Sequence, residues 1–269
     1  MTNSEIFHDI IANRRSVRLY EENKVVDPAS IKRSLQRATL SPNSSNLQLW
    51  EFYWVSDKLK QKELAKICLG QPAAVTAQEL VVFVVRRDLW KKRVNFMLDI
   101  LKRKFGDQES KNKKIKNKSS KTGTDKSGNV LQNVGDKDER AKAVLQYYGK
   151  LMPLLYWSDP FRLFGLTKKI AQFFSGLKKP VPREVGFTDT RIIAHKSVAL
   201  AAQTFMLSMK AEGYDTCPME GMDSKRLKKF LRLPLGAEIS MVISCGVAIP
   251  DGIYGSRIRV NQDEVIFKI

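Results

Sequence analysis

The side chains near the N-terminus that best suit chemistry form an arginine cluster. The segment Arg14-Arg15-Ser16-Val17-Arg18 places three guanidinium groups and a hydroxyl at the end of a short amphipathic helix. Guanidinium groups keep their charge and donate hydrogen bonds in pairs, so this cluster suits a phosphate or another planar anion. By itself, the same pattern is also typical of a solvated basic helix end.

A second segment, residues 41–50, has the composition of a loop that contacts a polar ligand. It runs Ser-Pro-Asn-Ser-Ser-Asn-Leu before closing with Gln48-Leu49-Trp50. Small hydroxyl and amide side chains let a loop approach a ligand edge closely and hydrogen-bond it.

A third segment, residues 213–222, follows a long apolar helical pattern. Pro218 and Gly221 predict a rigid, narrow backbone turn that can lie flat against a planar ring. Alone, Pro-x-Glu-Gly is typical of ordinary turns, and its position directly after a long helix makes it informative.

In this order, the three segments resemble the motifs of the nitroreductase family, which read roughly R-R-S-x-R, S-P-S-S-x-N-x-Q-P-W and G-x-x-x-x-P-I-E-G-F. The resemblance covers residues 4–87 and about 190–269. This chain has Asn43 where the family usually shows serine and Leu49 where proline usually precedes the tryptophan. The middle of the chain matches the family only in being its most variable region, so substrate identity transfers least.

The resemblance implies FMN as cofactor and assigns residues to it. No catalytic side chain is identified, because the flavin carries out the redox chemistry. Glu220 and Gly221 are expected to flank its N5 atom, and Gln71 to face its pyrimidine edge. Arg257, with Arg259 as a second choice, is expected to meet its phosphate. The remaining predicted cofactor ligands are Arg14, Arg15, Ser16 and Arg18 from one subunit, Pro42, Asn43, Ser44 and Asn46 from the other, and Pro218 and Met219 in the turn.

The activity implied by the family is hydride transfer from NAD(P)H to nitroaromatics, quinones or similar electrophiles by a ping-pong mechanism. The implied assembly is a homodimer in which residues 264–269 add a strand to the partner's sheet. Two alternatives stay open. One is a flavin enzyme of the same superfamily that performs reductive dehalogenation or flavin fragmentation, and the other is a non-catalytic basic protein that binds nucleic acid or a membrane surface.

The order of elements favours an α+β fold with a central, mostly antiparallel sheet flanked by helices, as one domain over residues 1–269. Helices are predicted over residues 5–12, 28–40, 57–69 and 190–211, and strands over residues 52–55, 80–85, 239–247 and 265–269. Asp27 and Pro28 give a strong helix start.

Two further segments interrupt this scheme. Residues 105–140 are rich in lysine and polar side chains and are predicted to form a flexible insertion. Residues 143–180 are predicted to be a variable lid region. Within it, residues 161–177 have the pattern of a basic amphipathic helix, which suits a lid, a dimer surface or a membrane contact.

Composition limits the remaining classes. The formal net charge of +19 attracts phosphates and polyanions without specificity, but no nucleic-acid-binding motif accompanies it. Three widely spaced cysteines indicate neither a disulfide framework nor a metal site, and none is predicted. No signal peptide or membrane span is predicted, so we expect a cytoplasmic protein whose partners are small-molecule electron acceptors.

Overall fold

The fold is built on a four-stranded sheet. The computed structural model describes residues 1–119, 139–157, 163–177, 180–184 and 186–269. Within them the strand order is β1-β2-β4-β3, and every neighbouring pair is antiparallel. The strands are β1 (Trp50–Val55), β2 (Glu79–Val85), β3 (Asp215–Met219) and β4 (Glu238–Gly246). The predicted α+β class and antiparallel sheet are confirmed.

Helices cover both faces of this sheet. Residues 139–146 are helical and lead through a π-helical turn, Tyr147–Leu151, into α6. The helices are α1 (Asn3–Asn13), α2 (Pro28–Ala38), α3 (Lys58–Ile67), α4 (Pro72–Val75), α5 (Trp90–Ser119), α6 (Met152–Tyr156), α7 (Leu163–Gly176), α8 (Phe187–Ala211) and α9 (Ser224–Phe230).

The helix boundaries follow capping chemistry. The Asp27 carboxylate accepts from the Ala29 N–H at 2.9 Å at the start of α2, and Pro28 needs no partner for its nitrogen. The Asp57 carboxylate accepts from the Lys60 N–H at 2.8 Å in the same way at the start of α3. Beyond α8, Gly213 adopts a φ of 86°, which favours glycine.

The core has two layers because β2 is buried on both faces. Leu80, Val82 and Val84 of β2 pack in one cluster with side chains of α3 and α9. Val81, Phe83 and Val85 pack in the other with side chains of α2 and α8. A continuous apolar run is the pattern expected of a strand covered on both sides.

Three predictions need correction or limits. Residues 265–269 form no strand in this single chain, where their side chains are exposed and no neighbouring strand pairs with them. Helix α5 runs to Ser119, so the insertion predicted from residue 105 begins inside a helix, and residues 120–138 lie outside the described part. Helix α7 begins at Leu163, and residues 158–162 are likewise outside it.

One described helix, α8, has the length and hydropathy of a membrane span, which the sequence reading did not predict. Half of its most apolar window is buried inside the fold. A core helix passes the same length and composition test, so this is weak support for a span.

Glu212, just after α8, links that helix to α2. Its carboxylate accepts from Arg33 Nη2 at 2.7 Å, from Arg37 Nη1 at 2.6 Å and from the Ser30 hydroxyl at 3.2 Å. The hydrogen bond from Arg33, followed by those from Arg37 and Ser30, outweighs burial and lowers the pKa of Glu212 to about 2.

We expect Glu212→Gln to destabilise the protein in a pH-dependent way. A carboxyl with a lowered folded-state pKa stabilises the fold above its unfolded pKa of about 4.3, and this contribution is lost as pH falls towards the folded value. The difference in urea midpoint between wild type and variant should therefore be largest above about pH 5 and should shrink as the pH falls below that value. Exposed Glu63→Gln is the control, and a pH-independent difference would contradict the role of the charge.

Candidate functional site

Two segments far apart in the sequence line a small cavity rich in arginine. The cavity has a volume of about 190 Å³. It lies where the chain after α1 meets the chain after β4, and it contains all five arginines predicted to bind phosphate or flavin. Its lining residues are Arg14, Arg15, Ser16, Arg18, Ile253, Tyr254, Ser256, Arg257, Ile258 and Arg259.

Backbone hydrogen bonds fix the first segment against the edge of the sheet. Val17 N donates to the Thr216 carbonyl of β3 at 3.1 Å, and Arg18 N donates to the Gly252 carbonyl at 2.6 Å. The Val17 side chain is fully buried. A Cβ at Gly252 would lie 2.4 Å from the Leu19 carbonyl oxygen, so this close approach requires glycine.

Two of the arginines hold the two segments together. Arg257 Nη2 donates to the carbonyls of Ala12 at 2.8 Å and Arg14 at 2.7 Å, at the C-terminal end of α1. In the opposite direction, Arg15 Nη2 donates to the Gly255 carbonyl at 2.9 Å. A cation at the C-terminus of a helix is favourable because the last carbonyls carry partial negative charge. These guanidinium groups therefore position the cavity wall as well as charging it.

The electrostatics of the cavity favour an anion. Burial, followed by the charges of Arg257, Arg259 and Arg15, lowers the pKa of Arg14 from its usual value. Within the described residues, no carboxylate pairs with the five arginines that line the cavity. Like charges that converge without a counterion raise the free energy of the folded state. A bound anion attracts each of these charges and so offsets their mutual repulsion.

Tyr254 belongs to this cavity and was missed in the sequence. The Arg18 guanidinium carbon lies 5.8 Å from the centre of the Tyr254 ring, within cation–π range. A single tyrosine before Gly255 has no spacing pattern that would mark it, so only the tertiary structure identifies it.

Half of the segment 213–222 is strand β3, so the turn is shorter than predicted. Pro218 lies on the edge strand β3, where it pairs with Ile243 of β4. A proline is tolerated on an edge strand because its nitrogen needs no hydrogen-bond partner. The Met219 side chain is buried in the core cluster, so its assignment to the cofactor stays a prediction. The turn itself begins at Glu220 and Gly221, both of which are exposed.

Gln71 and Gly221, both predicted to face flavin, lie in contact although they are 150 residues apart in the chain. Gln71 Nε2 donates to the Gly221 carbonyl and, at 3.0 Å, to the Cys68 carbonyl. A Cβ at Gly221 would lie 3.2 Å from Gln71 Nε2. The amide and the turn thus form one unit at the end of β3.

The loop at residues 41–50 is held by side-chain contacts of its own. The Asn43 carboxamide oxygen accepts from the Gln48 N–H at 2.8 Å, which closes the loop on itself. Ser45, Asn46 and Gln48 have positive φ values of 54°, 49° and 49°. Non-glycine residues in this region are uncommon and concentrate at functional loops.

In the single chain, this loop packs against α8 and the π-helical turn. Ser44 N donates to the Ser197 hydroxyl at 3.2 Å, and the Tyr148 hydroxyl donates to the Ser45 carbonyl at 2.8 Å. None of its described hydrogen bonds joins it to the arginine cavity. None of the predicted ligands Pro42, Asn43, Ser44 and Asn46 lines the arginine cavity of the same chain.

The remaining candidates for side-chain chemistry have structural contacts. His195 Nε2 lies 3.3 Å from the Glu238 carboxylate, which also accepts from Arg191. All three cysteines are free and buried, and burial raises the pKa of Cys68 to about 11. Over the described ranges no group of His, Cys, Asp and Glu is arranged to hold a metal ion.

We expect inorganic phosphate to stabilise the flavin-free protein through the arginine cavity. At about ten times the dissociation constant, phosphate should raise the Tm by about 3–6 °C. Arg259→Ala should reduce this shift because it removes one positive charge from the cavity. The variant should still fold, since the Arg259 side chain makes one local hydrogen bond, to the Ile258 carbonyl. Exposed Lys32→Ala on α2 is the control. Equal shifts in both variants, measured against chloride at the same ionic strength, would contradict a phosphate site here.

Known proteins share this fold. A nitroreductase-like protein from Streptococcus mutans has a TM-score of 0.64 at 18% identity, covering 100% of both chains. A structure from Exiguobacterium sibiricum, solved in complex with FMN, has a TM-score of 0.59 at 19% identity and covers 97% of both chains.

The sequence comparisons agree with the structural ones. Protein DrgA of Synechocystis is 24% identical over 246 residues, covering 90% of this chain and 84% of DrgA. YdgI of Bacillus subtilis, named as a candidate NAD(P)H nitroreductase, is 22% identical over 262 residues, covering 97% of each chain. The pattern of the Nitroreductase family matches residues 11–126 and 187–247, which is more than half of the sequence. The chain therefore belongs to the nitroreductase family of oxidoreductases.

Proposed function

We propose that this protein is an FMN-dependent oxidoreductase that takes hydride from NAD(P)H and delivers it to a small activated electrophile. The observation that carries this proposal is the arginine cavity, whose first segment is hydrogen-bonded to Thr216 of β3, the strand that leads into the turn where Gln71 meets Gly221. A site for a terminal phosphate and a narrow turn for a planar ring are thus both connected to the same edge strand.

The residues present fit FMN. The convergent, unpaired charge around Arg14 is what a dianionic terminal phosphate offsets. Gly221 has no side chain, and the chain beside it is held by Gln71, so a flat ring can approach its backbone. In this proposal Arg14, Arg18 and Arg259 meet the phosphate, while Arg15 and Arg257 keep the wall in place.

The chemistry comes from the cofactor, which when bound exchanges hydride with a donor and an acceptor. The protein's own residues bind the phosphate, hold the turn at Glu220 and Gly221, and leave one face of the site open. Since donor and acceptor use that face in turn, we expect ping-pong kinetics. Nitroaromatics and quinones are the proposed acceptors.

We further propose a homodimer in which each cofactor contacts both chains. Three observations support this. No residue of the loop at residues 41–50 lines the arginine cavity of the same chain, α1 buries no residue, and residues 265–269 carry exposed apolar side chains without a neighbouring strand. The exposed apolar side chains of these elements include Ile6, Phe7, Ile11, Val265, Ile266 and Phe267. Pairing of two chains would cover this surface and give the C-terminal residues a strand partner.

Cofactor identity and donor oxidation test the function directly. Flavin released by heat should be FMN by mass spectrometry, since within the described chain the phosphate site is a single arginine cavity without a dinucleotide-type glycine loop. Anaerobic stopped-flow mixing with NADH or NADPH should bleach the flavin absorbance, and a nitroaromatic or quinone should restore it. Recovery of FAD, or flavin that neither donor bleaches, would reject the proposal.

Arg18→Ala should weaken FMN binding without unfolding the protein. Arg18 is exposed, so its removal leaves the core unchanged. Loss of one charge-assisted hydrogen bond removes roughly 1.5–3 kcal/mol, which corresponds to a ten- to hundred-fold rise in the FMN dissociation constant. Fluorescence titration of the flavin-free protein measures it, with Lys32→Ala as the control. An unchanged dissociation constant would place Arg18 outside the site.

Mixing two defective variants tests whether the site is shared between chains. Arg18→Glu and Ser44→Glu each introduce a negative charge at an exposed position that we assign to FMN, so each homodimer should lose the cofactor. Random exchange of equal amounts should restore flavin to about one quarter of the wild-type sites, because each mixed dimer contains one intact site. If mixing restores no flavin, or if the Ser44→Glu homodimer keeps its flavin, the proposal of a shared site is wrong.

A further inference from the structure

A second cavity, which shares no lining residue with the arginine cavity, lies between β1, α3 and α9. Its volume is about 1030 Å³, and none of the residues assigned to FMN lines it. Small-molecule sites commonly have volumes of about 300–1000 Å³, so it is large enough for a ligand of metabolite size.

The lining of this second cavity is strongly basic. Five cationic side chains line it, against the two carboxylates of Asp57 and Glu63. The Asp57 carboxylate is already used as the N-cap of α3, where it accepts from Lys60 N. The five cationic residues are Lys60, Lys66, Arg226, Lys229 and Arg232.

Most of these cations have no counterion. Arg226 pairs with Asp223 at 3.3 Å. Within the part of the chain that the structure describes, the side chains of Lys60, Lys66, Lys229 and Arg232 have no ion pair. Helices α3 and α9 share one core cluster through Leu64 and Leu227, so the fold holds their charged faces together at fixed separation.

Arg232 occupies a backbone position that favours glycine. Its φ is 53°, and it follows α9 where Leu233 N donates to the Lys228 carbonyl at 2.9 Å. Left-handed backbone at a helix C-terminus is usually glycine because other residues are strained there. Here a long cationic side chain stands at this position and lines the cavity.

Aromatic side chains supply another part of the wall. Tyr53 and Phe230 line the cavity and pack on the same face of the sheet as α3 and α9, whereas the Trp54 ring packs with the cluster on the opposite face. The Tyr53 hydroxyl is already satisfied, since it donates to Glu51 at 2.7 Å, and Phe230 has no polar side-chain atom. These residues therefore offer ring surface rather than hydrogen bonds.

We propose that this cavity binds a nucleotide-class ligand, with phosphate groups on the unpaired cations and an aromatic base against the ring surface. Lysine and arginine side chains that converge without counterions suit a multiply charged phosphate. Aromatic rings favour a planar base by stacking, which inorganic phosphates cannot use. The site is independent of the proposed redox reaction.

The probe is ATP, titrated by calorimetry into the FMN-loaded protein, so that the arginine cavity is already filled. Wild type should bind ATP at about 150 mM salt, and Lys229→Ala should weaken binding about tenfold. Arg232→Gly should weaken it similarly while keeping or raising the Tm, since glycine relieves the left-handed strain. The matched control is Lys225→Ala, which removes a cation from the same helix that does not line the cavity.

Each alternative outcome overturns the proposal. Absence of ATP binding at millimolar concentration does so, as does equal weakening by Lys225→Ala and Lys229→Ala, which would indicate diffuse surface charge. Inorganic triphosphate binding as tightly as ATP would remove the aromatic contribution. Tighter binding of a single-stranded oligonucleotide would assign the surface to nucleic acid instead. Flavin content should be unchanged in all three variants, which separates this test from that of the redox function.

Discussion

The docking of residues 14–20 against the edge of the sheet is the interaction on which the rest of the site depends. Two backbone hydrogen bonds, from Val17 to β3 and from Arg18 to Gly252, fix this segment, and burial of Val17 anchors it. Only then can Arg257 reach the carbonyls at the end of α1 and Arg15 reach Gly255. Apolar burial and backbone hydrogen bonds thus support a concentration of positive charge that would not form by itself.

The architecture connects this charge to the edge strand that leads into the turn proposed for a planar ring. Strand β3 lies at the edge of the sheet, and its end leads directly into the turn at Gly221, which Gln71 holds from the start of α4. An edge strand leaves room for a ligand that a central strand such as β2, buried on both faces, does not. In the proposed function, the same edge serves the phosphate and the ring of the cofactor.

Charge is distributed unevenly over the described surface. Part of it converges on the arginine cavity, and another part on the cavity between α3 and α9, while Arg33 and Arg37 pair with Glu212 and contribute to stability. The net charge of +19 is therefore better understood as separate local groups with different partners than as one diffuse attraction.

By itself, the sequence determined the local elements and the family. Asp27 with Pro28, the apolar run of β2 and the long helix before Gly213 each depend on nearby residues, so their patterns predict them. Only the tertiary structure could show which residues far apart in the sequence come into contact. It joined Arg257 to Arg14 and Gln71 to Gly221, brought Tyr254 to Arg18, and drew Pro218 into β3 through pairing with β4. Residues 265–269 have strand-like alternation but no strand in the single chain, because a strand requires a neighbour for its backbone hydrogen bonds.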